Sequence, residues 1–204
     1  MVIFVWRKHA MLERVQERSW LHALGLQDRT HLRGAQKALA QWAIVDDYNN
    51  ILDLSCQDTR LLRFLSQKYS LGACGIADDP EHARALRLEL PDAEIFCARK
   101  EDIPWRDQAF DAVFYQMKKN APAFDGTFLR EAARVLKPGG QLLIAVQGAP
   151  EPLCKVGELL GLCDGDDHVS PAQLLKSMED AGMEDVSWRL AQPMVCLAMG
   201  WRRR

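Results

Sequence analysis

FLREAARVLKPGGQLLIAV, residues 128–146, sets a helix, a stop signal and a buried strand in direct succession. Phe128, Leu129, Ala132 and Leu136 recur at helical spacing and make one apolar face. Pro138 has no amide hydrogen and cannot continue the helix, and Gly139 and Gly140 supply the turn. Leu142–Val146 is apolar without alternation, the pattern of a strand covered on both faces.

Outward from this stretch the same alternation repeats. Upstream, Ile51–Leu54 is an apolar strand, and a helix carrying Leu61, Leu62, Leu65 and Tyr69 follows it. Next come a strand at Ala73–Ala77, a helix through Leu86 and Leu90, and strands at Glu94–Cys97 and Phe110–Tyr115. A helix near Asp125–Leu136 then leads into the strand Gln141–Val146. Strands starting near 51, 73 and 94 with helices between them imply parallel pairing through right-handed crossovers. The expected fold is α/β, a Rossmann-like doubly wound sheet of seven strands. All are parallel except an antiparallel last strand near Met194–Gly200, and the site lies at the carboxyl ends of the first and fourth strands. Residues 11 to about 47 read as helical, with Leu32, Ala35, Leu39 and Trp42 on one face and Asp28 placed to cap that helix. The expected organisation is a helical extension or lid over 1–47 and one α/β unit over 48–204.

Composition narrows the classes. A chain of 204 residues with 48% hydrophobic and 26% charged residues suits one large globular domain. A net charge of −2 argues against nucleic acid or an anionic membrane held by bulk electrostatics. The six cysteines, Cys56, Cys74, Cys97, Cys154, Cys163 and Cys196, form no CxxC pair and have no metal-ligand spacing. They read as buried, reduced thiols of a cytoplasmic protein, and the scattered histidines do not suggest a zinc site. The apolar run Met1–Trp6 is too short for a signal-peptide core, and no later run reaches membrane-spanning length.

In wording and order, residues 128–146 resemble the segment through the fifth strand of class I S-adenosylmethionine (SAM) methyltransferases. EDIPWRDQAFDAVFY (101–115) resembles that family's passage into its fourth strand. SPAQLLKSMEDAGMEDVSWRL (170–190) and MVCLAMGWR (194–202) resemble its last helix and last two strands, so the likeness covers roughly residues 48–202. The resemblance implies SAM as cofactor, transfer of a methyl group to a small molecule, and a glycine-rich turn D-x-G-x-G-x-G after the first strand. Glycine in such a turn lets the backbone approach the ligand closely and permits positive φ.

Here the leading Asp53 is present, but Ser55, Gln57 and Thr59 stand where the glycines are expected. Thr59 is β-branched and suits positive φ worst, whereas Gln57 must swing away or fill the methionine pocket, and the expectation is that it fills the pocket. At the end of the second strand, the acid expected to hold the ribose hydroxyls falls on Ala77. Asp78 faces the other way unless the chain bends, and Asp79 before Pro80 reads first as a helix cap and second as a ribose contact. After the third strand, Arg99 stands where the family often has an aspartate for the adenine amino group, and a guanidinium cannot accept a hydrogen bond. If each departure removes about 1.5–3 kcal/mol, cofactor affinity falls by several powers of ten.

The segment Tyr115-Gln116-Met117-Lys118-Lys119-Asn120 lies where the family places substrate-facing residues, and Tyr115 or Lys118 could act as a base. Two functions follow. The residues favour a pseudo-methyltransferase that binds a partner protein or another small molecule without SAM. The alternative is an active SAM-dependent methyltransferase of an unidentified small molecule, with Trp20, Leu24, Leu39 or Trp42 in a lid over the cleft. Six tryptophans leave room for an aromatic interface, and hence a homo-oligomer.

Overall fold

A computed structural model describes residues 32–117, 126–147, 170–192 and 195–204. Among them, seven strands form one sheet: β1 (Asn50–Asp53), β2 (Gly72–Ala77), β3 (Glu94–Cys97), β4 (Phe110–Met117), β5 (Leu136–Gln147), β6 (Met183–Gln192) and β7 (Val195–Arg202). The helices are α1 (Gly34–Trp42), α2 (Arg60–Lys68), α3 (Pro80–Glu89), α4 (Thr127–Val135) and α5 (Pro171–Asp180).

The strand order is β3-β2-β1-β4-β5-β7-β6. The pairs from β3 through β5 are parallel, while β7 runs antiparallel to both β5 and β6. The expected seven-stranded sheet with an antiparallel last strand is therefore present. Its order reverses between β1 and β4, which leaves a crevice at their carboxyl ends.

Side-chain alternation divides the core into two layers. Ile51, Ala112, Phe114, Leu143, Ala145 and Leu197 pack under α1, α2 and α3. Leu52, Val113, Leu142, Ile144 and Ala198 pack under α4 and α5. With a helical layer on each face, the central strands are apolar on both sides, and this produces the continuous run at 142–146.

Three local expectations are corrected. The turn expected at Pro138–Gly140 lies within β5, which begins at Leu136 and not at Gln141. Pairing moves from Phe110↔Leu136 to Ala112↔Gln141, so residues 137–140 bulge opposite Asp111. Gly139 takes φ 75° there, and a Cβ on Gly140 would lie 2.9 Å from the Lys137 carbonyl and 3.1 Å from the Asp111 carbonyl. Gly140→Ala should lower stability by about 1–3 kcal/mol in urea unfolding, because backbone must move to admit it. An unchanged midpoint would show that the bulge yields freely.

α1 begins at Gly34 with Arg33 at its cap position, where Gln36 Oε1 accepts from the Arg33 amide at 3.1 Å. Asp28 lies outside the described residues. Cys97 is exposed at the end of edge strand β3, whereas Cys56, Cys74 and Cys196 are buried as expected. The difference at Cys97 arises because an edge strand lacks a neighbour on one side. Cys154 and Cys163 lie outside the described residues.

Candidate functional site

The first expected station is the turn from Leu54 to Thr59, after β1. None of its residues has positive φ, and Thr59 sits at φ −81° as the cap residue of α2. The strain anticipated at Thr59 is absent because the turn takes a path open to any L-residue. Three of its amides are bonded within the protein. The Leu54 amide donates to the Phe114 carbonyl and the Cys56 amide to the Ile76 carbonyl, which ties the turn to β4 and β2.

Asp53 and Ser55 form the centre of the turn. Asp53 is wholly buried, and its Oδ1 accepts from the Ser55 amide at 2.9 Å and the Ser55 hydroxyl at 3.2 Å. The Ser55 oxygen in turn accepts from the Gln116 amide at 2.7 Å. A side chain at a glycine position thus bridges β1 to the end of β4 across the switch point. Asp53 Oδ2 has no partner among the described residues. Burial pushes the Asp53 carboxyl up to about 6, against the two Ser55 hydrogen bonds and with some help from Asp58.

Gln57 is exposed, so its side chain swings outward and does not fill a pocket; its carbonyl lies 2.9 Å from His82 Nε2. Thr59 is buried and donates to Glu89 Oε2 at 3.1 Å. Asp58 holds the start of α2, accepting from the Arg60 amide at 3.1 Å and from Gln36 Nε2 on α1 at 2.7 Å. Cys56 packs against Gly75 so closely that a Cβ there would meet its sulfur at 3.0 Å.

At the second station, Ala77 is buried at the end of β2 and offers no acceptor. Asp79 caps α3, its Oδ1 accepting from the His82 amide at 2.8 Å, as first expected. Asp78 occupies a bend, the condition under which it can turn toward the cleft. Its charge helps to raise the pKa of both the Lys100 ammonium and the Tyr115 phenol.

At the third station Arg99 is exposed. Lys100 Nζ pairs with Glu101 Oε1 at 2.8 Å. Burial alone would lower the Lys100 pKa, but Glu101, Tyr115 and Asp78 together hold it above its ordinary value. Tyr115 packs on Phe128 of α4 with ring centroids 4.7 Å apart. Burial raises its phenol, and Glu101 and Asp78 add to this while Lys100 opposes. The carboxyl edge therefore assembles Asp78, Lys100, Glu101 and Tyr115 beside the Ser55 turn. Lys100 and Glu101 did not stand out in the sequence, where a Lys–Glu step in a loop reads as solvated surface. The loop behind them is anchored to α4, since Glu131 Oε2 accepts from the Ile103 amide and Arg134 Nη2 donates to the Ile103 carbonyl.

Leu39 is fully buried with the sheet, and Arg189 lies over the Trp42 ring at 4.2 Å. α1 is thus part of the layer over β5 and β7. Trp20, Leu24, Lys118, Lys119 and Asn120 lie outside the described residues. Among the described residues no group of His, Cys, Asp and Glu could hold a metal ion, and no helix is long and apolar enough to cross a membrane. A shallow groove of about 200 Å³ lined by Gly126, Thr127, Arg130, Ser177, Asp180 and Ala181 shares none of the carboxyl-edge residues.

Comparison with known proteins agrees with this architecture. Residues 52–144 match the methyltransferase domain family. The chain is 32% identical over 130 residues to a ubiquinone/menaquinone biosynthesis C-methyltransferase of Klebsiella pneumoniae, covering 52% of this chain and 51% of that one. It is 30% identical over 114 residues to a 2-methyl-6-phytyl-1,4-hydroquinone methyltransferase of Synechocystis, covering 53% and 36%. The chain thus spans about half or less of the length of these relatives. Among solved structures, a methyltransferase in complex with the Haloferax volcanii Trm112 activator superimposes with TM-score 0.64 at 21% identity, covering 83% and 88% of the two chains. The cyclase SpnF superimposes with TM-score 0.64 at 16% identity, covering 82% and 79%, so this fold alone does not fix the reaction. Sheet order, motif order and family match agree: residues 52–144 match the methyltransferase domain family, and the fold is that of solved methyltransferases.

Proposed function

We propose that this chain is a family member whose SAM site is closed by its own side chains, and that it binds another small molecule or a partner protein without transferring a methyl group. The observation that carries this reading is the Ser55 bridge. Its hydroxyl takes the Gln116 amide at 2.7 Å and is held by Asp53, so the crevice between β1 and β4 is stitched where a glycine would leave it open. The residues do not fit SAM at the other stations either. Ala77 supplies no acceptor, Asp79 is engaged as a cap, and Arg99 is a donor where the adenine amino group needs an acceptor. Calorimetric titration with SAM and with S-adenosylhomocysteine should give no heat of binding at micromolar concentrations. A saturable signal in that range with the unmodified chain would overturn the reading.

One observation favours the alternative, an active methyltransferase of a small molecule. Asp78 sits at a bend and shares a charged cluster with Lys100 and Tyr115, so it could replace the missing strand-end acid as ribose acceptor. On that reading SAM supplies the methyl group, Asp78 orients its ribose, and Tyr115 lines the acceptor side. Asp78→Asn separates the two: it abolishes measured SAM binding if the site is active and changes nothing if it is closed.

A further inference from the structure

We infer that the free edge of β6 is a docking surface for a second copy of this chain, which pairs with it antiparallel about a two-fold axis at Trp188 and joins the two sheets into one. This holds whether or not the crevice takes SAM, because β5 and β7 stand between β6 and the switch point at β1 and β4. The two ends of the sheet differ. β3 has four residues, and Arg87 of α3 donates to its Ile95 carbonyl at 2.7 Å, so an acceptor of that edge strand is already taken. β6 has ten residues with neither lysine nor proline, and among the described residues no strand pairs with its outer side. An edge of that length left bare invites another strand. Its register irregularities fall between Glu184 and Ser187 and between Leu190 and Gln192, so Ser187–Leu190 follows β7 without a break.

The order of residues selects a copy of the same chain. Val186-Ser187-Trp188-Arg189-Leu190 reads apolar, polar, aromatic, polar, apolar from either end. A two-fold interface requires that self-complementarity. Val186 and Trp188 pack on the core layer under α4 and α5, and Leu190, 57% exposed, continues their face by alternation. Ser187 and Arg189 take the opposite face, where the Arg189 guanidinium lies over the Trp42 ring. Pairing centred on Trp188 sets Leu190 against Val186 of the second copy and covers the exposed leucine, while the two Trp188 rings meet at the axis. It sets Arg189, whose Nε has no acceptor among the described residues, against the Ser187 hydroxyl of the second copy. No like charges stand directly opposite each other. A centre at Arg189 would oppose two guanidinium groups. A centre at Ser187 would set Leu190 against Glu184 and run the pairing into the irregular stretch at Asp185, where φ is 51°.

Sedimentation velocity on the whole chain across micromolar concentrations tests this, and the unmodified chain should sediment as a dimer. Leu190→Lys puts a charge on the edge at an exposed position, so it should leave the Tm unchanged and weaken the dimer about tenfold or more. Leu88→Lys, at a leucine 78% exposed on α3, should leave the dimer intact. Val186→Cys combined with Leu190→Cys should give a disulfide-linked dimer under a mild oxidant, beyond any formed by the unmodified chain. Leu190→Cys alone should not. A monomer throughout, or assemblies that keep growing with concentration, overturns the inference. So does a dimer that Leu190→Lys leaves intact or that Leu88→Lys disrupts as strongly. A dimer lost with Leu190→Lys but not linked by the paired cysteines overturns the register at Trp188.

Discussion

Combining Ser55→Gly, Gln57→Gly and Thr59→Gly with Ala77→Asp is expected to raise SAM affinity by about two powers of ten or more, from undetectable into the micromolar range. The largest share should come from two positions. Ser55→Gly removes the hydroxyl that joins Asp53 to the Gln116 amide, freeing that amide and opening the crevice between β1 and β4. Ala77→Asp places an acceptor at the end of β2, where a charge-assisted bond to a ribose hydroxyl contributes about 1.5–3 kcal/mol. Gln57→Gly should contribute least, because that side chain already faces solvent. Thr59→Gly loses the bond to Glu89 and adds backbone entropy at the start of α2, so it should lower stability more than it aids binding. Isothermal calorimetry on the single and combined variants, with thermal melts to establish folding, checks each part. If the combined variant folds and still binds no SAM, the turn is not the obstacle.

The fold was legible because it depends on patterns that survive substitution. The apolar run at 142–146 and the periodicity of Phe128, Leu129 and Ala132 are dictated by burial on two faces, and both are present as expected. Details that depend on single contacts were less legible. The bulge at 137–140 exists because β5 starts at Leu136, five residues before the expected strand start at Gln141, and a Lys–Pro–Gly–Gly step gives no sign of strand pairing. Leu39 and Trp42 have the spacing of a packed helix, but spacing does not say which surface the helix packs on. At the site, the missing glycines, Ala77 and Arg99 were visible as letters. The way they are accommodated was not. Gln57 was expected in the methionine pocket and instead faces solvent, and Asp78 sits at a bend that no periodicity announces. Asp58 and Lys100 became visible only through partners far away in sequence, Gln36 for the first and Tyr115 for the second.

Raising the pH from about 4 to about 6 should cost the folded protein on the order of 2 kcal/mol through Asp53 alone. The carboxyl is wholly buried, its Oδ2 lacks a donor among the described residues, and Asp58 adds repulsion. Together these raise its pKa from 3.8 to about 6 in spite of the Ser55 hydrogen bonds to Oδ1. Between those two values the folded chain holds a proton that the unfolded chain has released. Stability from this group is therefore complete below pH 3.8 and is lost as pH rises through about 6, opposite to the usual behaviour of a paired carboxylate. Other groups titrate over the same range, so the measurement is a difference between the unmodified chain and Asp53→Asn. Asparagine keeps an acceptor for Ser55 and cannot ionise. The urea midpoint of the unmodified chain minus that of the variant should fall as pH rises from 4 to 7, because only the unmodified chain weakens through that window. A constant offset from asparagine's buried amide does not alter that slope. Parallel profiles would mean that Asp53 is ionised throughout, and the turn would then be held by a charge and not by a proton.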